Sequence, residues 1–298
     1  LRLDMAQICI DKLDATSEAM EHLRAILDEE RTHEKGTLLL SQLLEKTGRD
    51  DELADLLNSQ IELSKERGDL SAELVYSVRL GEVFEKRLNN VAKAIETYQA
   101  VLERDSKHKG ALLSLARLHE KKGAKAEAAK ALETVLEGVS GDEAVQTALR
   151  LSDLYTAIKD EAAVRRVLEV GLRANDRALD IRNKLNSLYE KQQAWTELAE
   201  LVKGDADAAT EDGQKVLLYR KAAEIHLAKR SDPGSAADLL VKASELAPGD
   251  RDLLLTLCDA YSASGRGKQA AEVLQKIVES YGGRRSKELA AIHHRLAK

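Results

Sequence analysis

The sequence is poor in the residues that fill thick globular cores. Aromatics make up 3% of the 298 residues, with one phenylalanine and one tryptophan, whereas a compact enzyme of this size packs part of its interior with large rings. There are two prolines and two cysteines. Cys9 and Cys258 lie far apart with no ligand cluster around either, so each is expected to be a buried free thiol rather than part of a disulfide or metal site. No apolar run is long enough to cross a bilayer. Charge is close to balanced, 46 basic against 52 acidic residues for a net of -6, which argues against a basic nucleic-acid-binding surface and against a polyanion mimic.

Catalytic signatures are missing too. The chain has no GxxxxGK[ST], GxSxG or HExxH pattern, and its GRGK stretch, Gly265 to Lys268, falls in a turn between two helices. The histidines are scattered singly. The one adjacent pair, His293 and His294, points to different sides of a helix, which is poor geometry for a single metal. No catalytic residue, metal or cofactor is assigned, and the segment is expected not to be an enzyme.

What is present is a hairpin, repeated. From Ala111 to Glu137, Leu112, Leu115, Ala116 and His119 fall at helical spacing, Gly123 interrupts, and Ala128, Leu132, Val135 and Leu136 resume it. The turn is short enough to force antiparallel neighbours, and Ala116 and Ala128 let the two backbones approach. Such a hairpin cannot cover its own apolar face and needs another on each side. The small residue of its first helix recurs as Ala6, Ser41, Gly81, Ala116, Ser152, Asn186, Ala223 and Cys258, with His293 beginning a ninth unit. The steps are 35, 40, 35, 36, 34, 37, 35 and 35 residues. A period near this value marks a helical solenoid.

The motifs within the period resemble the tetratricopeptide repeat. The first helices carry a Leu-small-x-x-aromatic core, as in LGEVF from Leu80 to Phe84 and LSDLY from Leu151 to Tyr155. A turn glycine, a small residue opening the second helix (AIETY, Ala94 to Tyr98) and Pro248 between repeats complete the likeness. It extends over essentially the whole chain. The early tryptophan of the pattern is absent throughout, Asn186 occupies a small-residue slot, and the sixth unit ends in Lys203, Gly204 and Asp205 where apolar residues belong. The fold class is therefore all-α, an α-α superhelix or right-handed solenoid of about eight helix-turn-helix repeats. Approximate bounds are 1–33, 34–70, 71–108, 109–142, 143–176, 177–212, 213–249 and 250–284, followed by a trailing helix in 285–298.

Irregularities accompany the period. Units one, three and seven carry an extra turn residue, in KLDATSEA, KRLNNVAKA and KRSDPGSA. The 40-residue step after unit two predicts a longer second helix there.

The resemblance also implies a binding face. In tetratricopeptide proteins the first helices line the concave side, and positions just past the small residue commonly touch the ligand. Carried onto this chain, the inner face is lined by Glu82, Glu85, Arg117, Glu120, Asp153, Asn183, Glu190, Glu224 and Asp259, a net acidic set. The implied function is a protein-protein interaction scaffold holding an extended or helical segment of a partner, with basic side chains on that segment. The alternative is a sensor array that binds a small peptide or metabolite and acts on an attached domain. The Lys-Asn-Asn-Lys-Arg clamp by which some relatives hold a chaperone carboxylate has no counterpart, since Glu82, Asp153 and Ser187 stand at the matching places. Trp195 is expected either to pack against a neighbouring hairpin or to anchor an interface. No nucleic-acid partner and no membrane insertion are expected. The chain reads as a segment of a larger bacterial protein, with the cytoplasm favoured, and its terminal units are expected to leave apolar faces exposed.

Overall fold

The computed structural model describes residues 1–11, 15–282 and 287–296. Seventeen helices occupy these residues, with no strand among them: α1 (Arg2–Asp11), α2 (Thr16–Glu29), α3 (Glu34–Thr47), α4 (Asp50–Arg67), α5 (Leu70–Lys86), α6 (Val91–Arg104), α7 (Lys109–Lys121), α8 (Lys125–Glu137), α9 (Gly141–Ala157), α10 (Glu161–Ala174), α11 (Leu179–Gln192), α12 (Trp195–Ala208), α13 (Asp212–Lys229), α14 (Pro233–Leu246), α15 (Arg251–Ala263), α16 (Gly267–Ser280) and α17 (Lys287–Leu296). The protein is all-α, of the α-α superhelical class. It divides into two compact units, Leu1–Val164 and Arg165–Lys298. Among the described residues no helix is long and apolar enough to cross a membrane.

Local chemistry sets the helix ends. Asn90, Asp69, Asp232 and Asp250 each accept a hydrogen bond from the backbone N–H three residues on, at 3.0 to 3.1 Å, which satisfies a donor that the first turn leaves open. His33 and His108 cap in the same way through Nδ1, at 3.0 and 3.2 Å, a use that fixes the acceptor nitrogen of each ring. In the Ala111 to Glu137 hairpin, Gly123 takes φ of 75°, and the Ala124 N–H reaches back to the His119 carbonyl at 2.9 Å. A side chain there would meet left-handed backbone strain.

The core follows the repeated registers. Ala6, Ser41, Ala116, Ser152, Ala223 and Cys258 are all but fully buried, and so are Leu23, Leu57, Tyr98, Leu132 and Leu168 from the second helices. Cys9 and Cys258 are buried free thiols. After unit two the second helix, α4, is 18 residues long against 14 for α6, as the 40-residue step predicts. The extra turn residues of units three and seven put Asn89 and Ser231 at positive φ, and Pro233 opens α14 at its first turn, where its missing N–H is harmless. The corresponding turn of unit one, and the Gly283, Arg284, Arg285 and Ser286 entry to the trailing helix, lie outside the described residues. Leu1 and, on α1, Met5 and Ile8 are exposed.

Candidate functional site

The nine sequence-derived residues lie in or beside the first helices of the pairs, and they fall into two kinds. In the Leu1–Val164 unit, carboxylates near the ends of first helices accept hydrogen bonds from arginines on the next first helix. Glu45 of α3 meets Arg79 of α5 at 3.5 Å. Glu85 of α5 binds Arg117 of α7 through both oxygens, one contact at 2.8 Å. Glu120 of α7 accepts from Arg150 of α9 at 2.8 Å. The forked geometry at Glu85 is the strong form of such a pair, and its carboxylate is buried, so Arg117 compensates a charge that would otherwise be costly to desolvate. These acids tie successive repeats together.

Glu82 pairs with Lys86 of its own helix at 3.2 Å. Asp259 of α15 is bound by Arg295 of α17. Asp153 is exposed but engaged within the chain. Asn183 is exposed, and its carbonyl accepts from the Ser187 hydroxyl at 3.2 Å.

Two tetratricopeptide repeat family models match the sequence, one at residues 85–143 and one at residues 227–292. These two segments carry tetratricopeptide repeats. The solved structures it is similar to include a tetratricopeptide repeat protein from Parabacteroides merdae, at 17% identity over 86% of this chain and 96% of that one, with a TM-score of 0.39. Another is YrrB, described as a tetratricopeptide repeat protein with an unusual peptide-binding site, at 17% identity, 71% and 99% coverage and a TM-score of 0.37. A third is the TPR2AB domain of yeast Sti1 in its pHSP90 complex, at 17% identity, 100% and 97% coverage and a TM-score of 0.33. No curated protein matches the sequence.

In the Arg165–Lys298 unit, Glu190 and Glu224 come together. They line a cleft of about 340 Å³ with Trp195, Ile225, Lys221 and Lys229. The end of α11 supplies Glu190, the start of α12 supplies Trp195, and the C-terminal half of α13 supplies the rest. Trp195 is half-buried, and the Lys229 ammonium sits 5.2 Å from its ring centre, within cation–π range. The ring packs against Lys229 of the neighbouring helix pair and also borders this opening. Among the described residues, neither Glu190 nor Glu224 is held in an ion pair.

Beside the cleft, α11 and α12 replace apolar packing with polar packing. Arg182 lies across Gly204, binds Asp205, and donates to the Leu201 carbonyl at 2.7 Å. The Lys-Gly-Asp ending that breaks the repeat's apolar pattern is thus the seat of one arginine. Tyr189, in the aromatic slot of the same unit, donates to Glu169 at 3.0 Å, and burial together with that carboxylate pushes its hydroxyl pKa up. In unit seven the slot holds His226, buried, with Arg230 at 2.7 Å and Asp232 at 3.6 Å from Nδ1. Burial and then the Arg230 charge pull its pKa below the ordinary value of 6.5, so the neutral ring accepts from Arg230.

Sequence reasoning overlooked the arginine partners. The signal was available: Glu45, Glu85 and Glu120 each stand four residues past the small marker, and Arg79 and Arg150 each stand two before the next marker. A glutamate and an arginine about one repeat apart on neighbouring first helices are placed to bond.

Proposed function

We propose that the protein is an interaction scaffold whose Trp195 cleft receives a segment of a partner protein carrying a basic side chain beside an apolar one. The observation that carries this reading is the pair of uncommitted carboxylates, Glu190 and Glu224, bordering a half-buried tryptophan. Acids already bonded to arginine, Glu85 through both oxygens and Glu120 through one, are committed within the fold. The open acids, by contrast, offer a cation a new partner without breaking an old one. Trp195 gives the apolar surface that hot spots favour, and its face, now covered by Lys229, suits a partner's cation equally well. Charge complementarity of this kind orients and speeds docking more than it adds affinity.

A capped, fluorescein-labelled twelve-residue peptide of Ala, Lys and Leu tests the reading against an analogue with Glu for Lys. Fluorescence anisotropy should show the lysine peptide binding at least about tenfold more tightly in 50 mM salt, with the gap narrowing in 300 mM salt as screening shortens the reach of the acids. Equal binding of the two peptides would sink the charge argument.

A further inference from the structure

The junction of α14, α15 and α16 holds a cleft of about 320 Å³, lined by Ser244 and Glu245 of α14, Arg251 of α15, and Lys276 and Ser280 of α16. Two of its walls are therefore second helices, and none of the nine candidate binding residues lines it. Arginines of the same unit meet carboxylates: Arg220 meets Asp250 at 2.9 Å, Arg266 meets Asp238 at 2.6 Å, and Arg295 binds Asp259. Arg251 does otherwise. Its guanidinium lies over the Tyr281 ring, 4.2 Å from the centre. Among the described residues, neither Arg251 nor Lys276 is held in an ion pair. Asp250, the acid beside Arg251 in sequence, is committed twice, accepting from the Leu253 N–H through one oxygen and from Arg220 through the other. Tyr281 is buried, and its hydroxyl donates to Glu288 at 3.0 Å. A fixed ring thus holds the guanidinium by its face and leaves the N–H edge open. Tyr281 stands eleven residues past Ala270, in a place that Asp105, Asn175 and Ala247 hold in units three, five and seven.

We propose that this cleft is a phosphate-monoester site, in which the open edge of Arg251 and the Lys276 ammonium hold the phosphoryl oxygens. A phosphate ester at neutral pH carries about two negative charges and three strong acceptor oxygens. It can occupy an arginine fork and a second cation together, whereas a carboxylate is filled by the fork alone. Ser244 and Ser280 donate to the Val241 and Ile277 carbonyls at 2.8 and 2.7 Å, and because a hydroxyl hydrogen rotates, either can turn to the ester instead. Glu245, the acid on the wall, pairs with neither cation among the described residues and opposes the ester. A phosphorylated side chain of a partner and a small phosphorylated metabolite present the same group. The site uses no residue of the Trp195 cleft.

Calorimetry on the full chain tests it with glycerol phosphate, a capped hexapeptide bearing phosphoserine, the same peptide with glutamate in its place, and sulfate. At least one of the two phosphate esters should bind at a single site, at least about tenfold more tightly than the glutamate peptide and sulfate. Binding of glycerol phosphate alone would assign the site to a metabolite, and binding of the phosphopeptide alone would assign it to a modified partner protein. Arg251→Lys keeps the charge and loses the fork, and should weaken the ester about tenfold. Lys276→Gln should weaken it severalfold, and Glu245→Gln should tighten it severalfold. All three side chains are exposed, so these variants keep the fold. Glu190→Gln with Glu224→Gln should leave ester affinity within about twofold, whatever becomes of binding at the Trp195 cleft. The absence of saturable binding by either ester, sulfate bound as tightly as the esters, or unchanged affinity in both Arg251→Lys and Lys276→Gln would overturn the proposal. So would weaker ester binding in Glu245→Gln.

Discussion

The α5–α6 and α11–α12 hairpins hold a glycine each for different physical reasons. Gly81 sits in the small slot of α5, where an added Cβ would lie 2.6 Å from the Tyr98 ring, and that ring is fully buried. Gly204, near the end of α12, would place a Cβ 3.0 Å from a guanidinium nitrogen of Arg182, the far end of a flexible side chain. The first hairpin is an apolar fit with no room to relax; the second is a polar seat that can shift. A repeat can therefore lose the pattern and keep the fold, provided a hydrogen-bonding side chain fills the space the pattern would have filled.

Gly81→Ala should break the stiffer of the two. Overpacking against Tyr98 is expected to cost about 2 kcal/mol after the helix-propensity gain is offset, read as a lower midpoint in urea unfolding, and Gly81→Ala with Tyr98→Leu should recover most of it. A neutral Gly81→Ala would mean that the ring is free to move.

A smaller effect belongs to His226. Its folded pKa lies below the ordinary 6.5, so the unfolded chain binds the proton more readily and stability is fully present above that pH. It should be lost as pH falls through 6.5 toward the folded value. Melting curves between pH 7.5 and 5.5 should show the decline in the parent chain and a flatter profile in His226→Phe, which places in unit seven the ring that Phe84 supplies in unit three. Identical profiles would remove His226 as the cause. The smallest effect is that of Gly204→Ala, expected within about 0.5 kcal/mol of zero because Arg182 can give way while alanine improves the helix.

The hairpins, the buried markers and the long α4 were legible in the sequence, because apolar period and turn glycines are local signals. The candidate binding face was legible only in part. Glu85, Glu120, Glu190 and Glu224 look alike in sequence, and what separates them is whether an arginine about thirty residues away reaches the carboxylate. Arg117 was placed on the ligand face by its position in the repeat, and its guanidinium instead neutralises Glu85. Arg182 escaped notice because its partners, Gly204 and Asp205, registered only as a defect in an apolar pattern.

The central claim is a division of labour between acids locked by arginine and acids left open. Trp195, the single tryptophan, reports on it without a label. In a fluorescence titration with the Lys-containing twelve-residue peptide, Glu190→Gln with Glu224→Gln should weaken binding at least about tenfold. Glu85→Gln with Arg117→Met, which removes a locked pair, should leave it within about twofold of the parent. Equal losses in the two double variants, or a loss confined to the Glu85 and Arg117 pair, would contradict the account.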